Sequence, residues 1–91
     1  MELIRFDRRP WGSMVKLIHT KHFWLKCIVV HGRTSLQSHS RRTEYHLGTT
    51  GIKKVVPGKI HRMTRGIYLE IAVGDPQEED ITRYEDDYGR S

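Results

Sequence analysis

The chain has little cysteine, little proline and no long apolar segment, and each absence excludes a class of protein. Cys27 is the single cysteine among 91 residues, so no disulfide can form within the chain, and a reducing cytoplasm is the expected location. The first residues contain no apolar stretch typical of a secretion signal. No run approaches the length of about 20 apolar residues that a membrane-spanning helix needs. We therefore expect a cytoplasmic protein without a membrane partner.

Acidic residues are scarce over most of the chain and concentrated at its end. Residues 1–74 contain 14 Lys/Arg and 4 Asp/Glu, whereas residues 75–91 contain 2 and 7. A basic body of this kind suits a phosphorylated small molecule or a nucleic acid, and the acidic tail can equally pack on the body and neutralise it. No zinc-finger, basic-zipper or RNA-recognition signature is present, so nucleic acid is the less favoured partner.

The size of the chain predicts one domain, residues 1–91, with a small core. A chain of 91 residues with 36% hydrophobic content buries only about 60–65% of the surface that its unfolded state exposes. A bound metal ion or a second subunit would add stability. We therefore expect a homodimer, an expectation that rests on this size argument alone.

Short alternations of apolar and polar residues, interrupted by Gly and Pro, predict strands throughout. The predicted strands are 14–18, 22–30, 36–39, 45–47, 52–56 and 67–73, with 60–63 also extended. The predicted turns are 31–33, 48–51, 57–58 and 64–66. Seven or so short strands without an amphipathic helix indicate an all-β fold, a small β-sandwich or barrel.

Alternation also predicts which side chains share a face of a strand. In 67–73, the residues Ile67, Leu69, Ile71 and Val73 face one way, toward the expected core, so Glu70 is expected on the non-core face. Lys26 lies on the face of its strand opposite Phe23 and Leu25. Trp11 is expected to anchor the N-terminal arm in the core.

The segment from Ser35 to Arg62 contains a possible set of four metal ligands, Gln37, His39, Glu44 and His61. On a strand, Gln37 and His39 project from the same face because they are two residues apart. His61 follows a Pro-Gly turn and comes from a later strand. This mixed nitrogen and oxygen set suits one divalent ion, Zn, Mn, Co, Ni or Fe(II), rather than a thiolate-rich structural site.

The other histidines have no partner at a diagnostic spacing. We interpret His19, His22 and His31 as surface or turn residues. For His39 taken alone, a structural histidine is an alternative interpretation. The joint pattern of Gln-x-His, a following carboxylate and a histidine after a Pro-Gly turn favours the metal site.

Three sequence blocks, in this order, carry a family resemblance. They are RPWGS at 9–13, SLQSHSRRTE at 35–44 and ITRYEDDYGR at 81–90. Together they resemble the cupin module of type II mannose-6-phosphate isomerases, which is also found fused behind mannose-1-phosphate guanylyltransferases. The resemblance implies a small, truncated cupin jelly-roll barrel. It is shortened because Glu44 and His61 are 17 positions apart, whereas the family has about two further strands between its motifs.

The resemblance implies a metal-dependent aldose-ketose isomerisation of a sugar phosphate, mannose-6-phosphate to fructose-6-phosphate, at a single divalent ion. Such an ion stabilises the charge that develops on a carbonyl oxygen, and a base moves a proton between C1 and C2. The alternative is a non-catalytic cupin module that binds metal and sugar. An iron-dependent oxygenase is a third possibility for the same fold.

The resemblance also implies roles for residues outside the metal set. Lys26 and Glu70 stand where the family has a Lys and a Glu, so both are candidate bases. Arg83 is placed with them among the catalytic residues, through contacts to phosphate or hydroxyl groups. Alternative interpretations are a Lys26 that extends to solvent and a Glu70 that is simply exposed.

Three further residues are candidates for substrate binding by the same resemblance. Arg42 and Arg90 are expected to contact phosphate or hydroxyl groups, and Tyr88 to hydrogen-bond a sugar hydroxyl. The alternative for the closing block is a structural clamp in which Arg83 pairs with a nearby Asp and Tyr84 packs into the sandwich.

Overall fold

A computed structural model describes residues 2–49 and 51–85 and shows an all-β chain, as the sequence predicts. The strands are β1 (Glu2–Arg9), β2 (Gly12–His19), β3 (Phe23–Arg33), β4 (Leu36–Ser38), β5 (Arg42–Gly48), β6 (Gly51–Val55), β7 (Thr64–Gly74) and β8 (Thr82–Glu85). Within these ranges no helix is long and apolar enough to cross a bilayer.

The strands form two antiparallel sheets. Six of them make one sheet in the order β1-β2-β3-β7-β5-β6, and β4 pairs with β8 in a second, two-stranded sheet. The large sheet is open rather than closed, since β1 and β6 form its edges. The molecule measures 32 × 26 × 23 Å. This arrangement is consistent with a small β-sandwich or an incomplete barrel.

Two predicted turns are wrong, because 31–33 and 64–66 belong to β3 and β7. The two strands pair as far as Arg33 and Thr64, after a shift of register beyond Val30. Glycine inside a strand often marks such an irregularity. Gly32 and Gly66 therefore mark a disturbance of the β3–β7 ladder rather than its end.

The sequence pattern did not predict β1 or β8. In β1 the charged residues Arg5, Asp7 and Arg8 obscure the alternation, and β8 is only four residues long. β1 joins β2 through a tight connection that ends at Gly12. A Cβ at that position would lie 1.9 Å from the carbonyl oxygen of Val29, so the close approach of β2 to β3 requires glycine there.

The inner face of the large sheet is apolar at one end. The buried residues of this cluster are Trp11, Met14, Ile28, Val30 and Met63, with Tyr68 packed against them. The prediction that Trp11 anchors the N-terminal arm in the core is thus confirmed.

The same inner face is charged further along the strands. β2 buries Lys16, β3 buries Lys26, and β7 buries Glu70. The expectation that Glu70 lies on the non-core face is therefore wrong: Glu70 is 6% exposed, whereas Ile67 is 62% exposed. Alternation correctly predicted which residues of β7 share a face, but the more polar of the two faces is the one that points inward.

Candidate metal centre and adjoining cavity

The predicted metal ligands come from three separate segments that backbone hydrogen bonds hold together. His39 directly follows β4, Glu44 lies on β5, and His61 lies between β6 and β7. The backbone of His61 pairs with that of Gln37 through N–O distances of 2.7 and 2.8 Å. The Pro-Gly turn contributes as well, because Gly58 (φ +82°) donates its N–H to the carbonyl oxygen of His39 at 2.6 Å. Glycine adopts this left-handed conformation without strain.

Three of the four predicted ligands converge on one point. The Nε2 atom of His39 lies 3.2 Å from Oε2 of Glu44. The Nε2 atom of His61 lies 3.5 Å from Oε1 of the same carboxylate. One donor atom from each residue falls within 4.8 Å of the others, and all three side chains are almost fully buried. A divalent ion could contact all three at once after a small contraction.

Hydrogen bonds on the far side of each imidazole fix its orientation. His39 donates Nδ1–H to the carbonyl oxygen of Asp80 (3.0 Å), and His61 donates Nδ1–H to that of Lys59 (3.4 Å). This assignment of the tautomers leaves each Nε2 with a lone pair directed at Glu44. Among the described residues, Nε2 of His61 has no hydrogen-bond partner. A buried nitrogen acceptor without a donor fits a bound cation.

Arg42 lies against the same donor atoms. Its Nε donates to Oε2 of Glu44 at 2.6 Å, and its Nη2 lies 3.2 Å from Nε2 of His39. Its Nη1 donates to the carbonyl oxygen of Gln77 at 2.7 Å. The guanidinium therefore supplies positive charge beside the centre, and a cation that binds His39 has to displace Nη2 from it.

His46, which was not among the predicted site residues, joins this cluster. Its Nε2 lies 2.9 Å from Oε1 of Glu44 and 3.0 Å from Oε1 of Glu70. The three residues form a second buried group that could hold a metal ion. Its signal was present in the sequence, because a residue two positions after Glu44 on a strand shares its face.

The charges within the cluster shift the pKa values of its members. Burial acts to lower the pKa of His46, but the hydrogen bonds to Glu44 and Glu70 outweigh burial and raise it to about 9. Burial acts to raise the pKa of Glu44, but the hydrogen bond from His46 and the positive charge of Arg42 hold it far below its usual range. Burial lowers the pKa of His39. A neutral His39 and an ionised Glu44 are the forms that bind metal.

Gln37, the fourth predicted ligand, lies in the wall of the adjoining cavity. Its amide oxygen accepts a hydrogen bond from Ser35 Oγ at 2.6 Å. A role as a metal ligand stays a prediction.

A cavity of about 170 Å³ adjoins the cluster. Part of its wall is apolar, from Trp11, Met14 and Ile28, and part is charged. Six of the predicted site residues line it: Lys26, Gln37, Arg42, Glu44, Glu70 and Arg83. The fold thus collects residues from β3, β4, β5, β7 and β8 around one small space.

Neither candidate base is exposed to solvent. The two alternative interpretations, a Lys26 that extends to solvent and a Glu70 that is simply exposed, are therefore wrong. Lys26 is 3% exposed and Glu70 is 6% exposed. Lys26 Nζ donates to both oxygens of Glu78 at 3.0 Å, and burial is the main reason that its pKa is lowered. Oε2 of Glu70 accepts a hydrogen bond from Trp24 Nε1 at 2.8 Å.

The remaining predicted residues have different outcomes. Tyr88 and Arg90 lie outside the described residues. Tyr84 is 54% exposed, so it does not pack into the sandwich as the clamp interpretation required. His22 and His31 are exposed, as expected, whereas His19 is half-buried and contacts Lys16.

Comparisons with protein-family models, with curated proteins and with solved structures found no match for this chain.

Proposed function

We propose that this protein binds one divalent metal ion through His39, Glu44 and His61, and isomerises mannose-6-phosphate to fructose-6-phosphate in the adjoining cavity. The observation that carries the proposal is the convergence of two imidazole Nε2 atoms on one buried carboxylate, one of them without a hydrogen-bond partner among the described residues. The three sequence blocks that resemble the cupin module of type II mannose-6-phosphate isomerases support the choice of reaction.

A divalent ion held by these ligands would polarise a substrate oxygen and stabilise the negative charge that develops on it. The imidazoles keep their orientation through the carbonyl oxygens of Asp80 and Lys59. Gln37 remains the proposed fourth ligand. Which of Zn, Mn, Co, Ni or Fe(II) serves is a question for metal analysis, because this ligand set suits all five.

The reaction requires a group that takes a proton from C2 of the aldose and returns it to C1. Lys26 and Glu70 face each other across β3 and β7, as directly paired residues, and both line the cavity. Both are candidates for this proton transfer in the proposed reaction. Arg42 and Arg83 line the same cavity and supply positive charge toward a phosphate group.

An isomerase assay with mannose-6-phosphate tests this proposal directly. We expect activity in the metal-loaded protein, loss of activity after chelation, and recovery when one divalent ion is returned. Glu70→Gln should reduce kcat with little change in metal content. A protein that binds metal stoichiometrically yet produces no fructose-6-phosphate would contradict the catalytic proposal.

A second candidate is a non-catalytic module that binds metal and sugar. It is favoured by one observation: both candidate bases are already engaged, Lys26 by Glu78 and Glu70 by Trp24 and His46. This candidate predicts that calorimetry detects binding of mannose-6-phosphate while the assay detects no turnover.

We also propose that the protein acts as a homodimer in the cytoplasm, with a second copy on the outer face of the large sheet. One row of apolar side chains crosses all the strands of that sheet through direct cross-strand pairs: Phe6, Val15, Cys27, Leu69, Leu47 and Ile52. Phe6 is 61% exposed and Ile52 is 71% exposed. An antiparallel sheet normally turns a polar face to water.

The extent of this face fits a dimer. A sheet of six strands is about 24 Å wide at a spacing of about 4.8 Å between strands. In a standard interface each partner buries about 800 Å², and the area of this face is of the same order. Sedimentation at increasing protein concentration should therefore detect a dimer.

A further inference from the structure

Two buried lysines lie side by side on the inner face of the large sheet. Lys16 of β2 and Lys26 of β3 are directly paired across the strands, and each is 3% exposed. Lysine is almost never fully buried unless it is paired, and like charges directly opposite each other destabilise a sheet. An anion between them is needed to offset this cost.

In the structure that anion is the carboxylate of Glu78. Its Oε2 lies 2.8 Å from Lys16 Nζ and 3.0 Å from Lys26 Nζ, and its Oε1 lies 3.0 Å from Lys26 Nζ. Glu70, the other carboxylate facing Lys26, is engaged by Trp24 and His46. The carboxylate of Glu78 is therefore shared by two ammonium groups. Lys16 Nζ also lies 3.0 Å from Nδ1 of His19.

Glu78 comes from a connecting segment rather than from the sheet. Residues 75–81 link β7 to β8 and are held to the body at several points. His19 Nε2 lies 3.0 Å from the carbonyl oxygen of Pro76, and Asp80 accepts the backbone N–H groups of Ser40 and Arg41. These contacts do not depend on the Glu78 side chain, which is 40% exposed and lines the cavity. The side chain can leave the lysines while the segment stays in place.

We propose that Lys16 and Lys26 form a binding site for a phosphate monoester, and that Glu78 is an internal occupant which the phosphate displaces. A phosphate monoester carries close to two negative charges and three acceptor oxygens, so it matches two lysines better than one carboxylate does. The natural ligand would be a hexose 6-phosphate, and this choice of phosphate monoester rests on the proposed function. Lys26 is thereby assigned to phosphate binding, and Glu70 is left as the group that moves the proton.

Calorimetric titration of the chelator-treated protein with inorganic phosphate, at constant ionic strength, tests the site without any metal. Glu78→Gln should bind phosphate about tenfold more tightly than the wild type, because a charge-assisted competitor is removed. Glu79→Gln is the matched control, since Glu79 is an exposed neighbour of the same charge, and it should bind like the wild type. Equal affinity of the two variants would overturn the proposal.

A second variant keeps the test decisive if Glu78→Gln fails to fold. Lys16→Gln leaves one lysine paired with one carboxylate, so it should fold and should lose phosphate affinity by about tenfold or more. Lys21→Gln, at an exposed position, should bind like the wild type. Unchanged affinity of Lys16→Gln would equally overturn the proposal.

The same titration with mannose-6-phosphate and with mannose separates the phosphate from the sugar. We expect Lys16→Gln to weaken mannose-6-phosphate binding and to leave mannose binding unchanged. A Lys16→Gln variant that weakens both ligands equally would contradict a phosphate site. This titration contains no metal, so a negative result would not count against the metal centre. Conversely, a protein that binds no metal ion can still be tested for phosphate binding at the two lysines.

Discussion

The inner and outer faces of the large sheet are built from the same strands but differ in chemistry. On the inner face, β2, β3 and β7 bury Lys16, Lys26 and Glu70. On the outer face, the neighbouring positions of the same strands carry apolar side chains, and Ile67 is 62% exposed. In most half-exposed sheets the apolar side is the covered one. Here the covered side contains the charges.

The difference shows what each face needs in order to be stable. Buried charges raise the free energy of the folded state unless partners compensate for the lost water. Each charged group of the inner face has such a partner: Glu44 contacts Arg42 and His46, and the two lysines share Glu78. In the proposed function, these costly charges serve the metal centre and the adjoining cavity. The outer face instead carries exposed apolar side chains such as Ile67, which a second copy would cover in the proposed dimer.

The largest effect is expected when a charge is removed from the inner face. Glu44→Gln should lower the free energy of unfolding by about 3–5 kcal/mol, because it leaves the surrounding cationic groups buried without their carboxylate. Urea unfolding of the metal-free protein measures this change. Glu85→Gln, at a side chain that is 58% exposed, should change it by less than about 0.5 kcal/mol. A loss below about 1 kcal/mol for Glu44→Gln would mean that the inner charges are not tightly coupled.

A polar substitution on the outer face should affect association more than folding. Ile67→Ser should weaken the dimer by about tenfold or more, since truncation of a residue that anchors an interface costs over about 1 kcal/mol. Ile60→Ser is the matched control, because Ile60 is 51% exposed but lies outside the sheet. Analytical ultracentrifugation measures both. A wild-type protein that stays monomeric at high concentration would rule out the second copy as the cover of this face.

The smallest effect concerns the acid side of the stability profile. Burial acts to raise the pKa of Glu78, but Lys26 and Lys16 outweigh burial and lower it to about 2. The pKa is lower in the folded state than the ordinary value of 4.5, so the stabilisation is present above about pH 4.5 and is lost as the pH falls through about 2. Because the side chain is 40% exposed, we expect less than about 1 kcal/mol.

Urea unfolding between pH 5 and pH 2 measures this effect as a difference between variants. The Glu78→Gln protein should lose less stability over this range than the wild type, whereas Glu79→Gln should follow the wild type. If all three proteins lose stability in parallel, Glu78 makes no special contribution through the lysines.

Much of the fold was predictable from the sequence because alternation and turn residues are local signals. The β3, β6 and β7 strands follow from them, and so does the Pro57-Gly58 turn. Which face of β7 points inward was not predictable in this way. The apolar residues of 67–73 form the more hydrophobic face, and only the partners of Glu70 on other strands explain why it is buried.

The candidate site was likewise predictable where its signals are local in the sequence, but not where they depend on non-local contacts. His39, Glu44 and His61 were proposed from spacing and family resemblance, and the structure brings their donor atoms together. The part played by His46 depends on its pairing with Glu70 across β5 and β7, a non-local contact. Lys16 and Glu78 are 62 positions apart, so no local pattern connects them.

Metal analysis of the purified chain after loading with Co²⁺ and removal of excess ion tests the central claim most directly. We predict about one ion per chain for the wild type and for His31→Ala, and none for His39→Ala or His61→Ala, because a cation of this kind needs several ligands at once. A wild-type chain that retains no ion, or variants at residues 39 and 61 that retain as much as the wild type, would contradict the account.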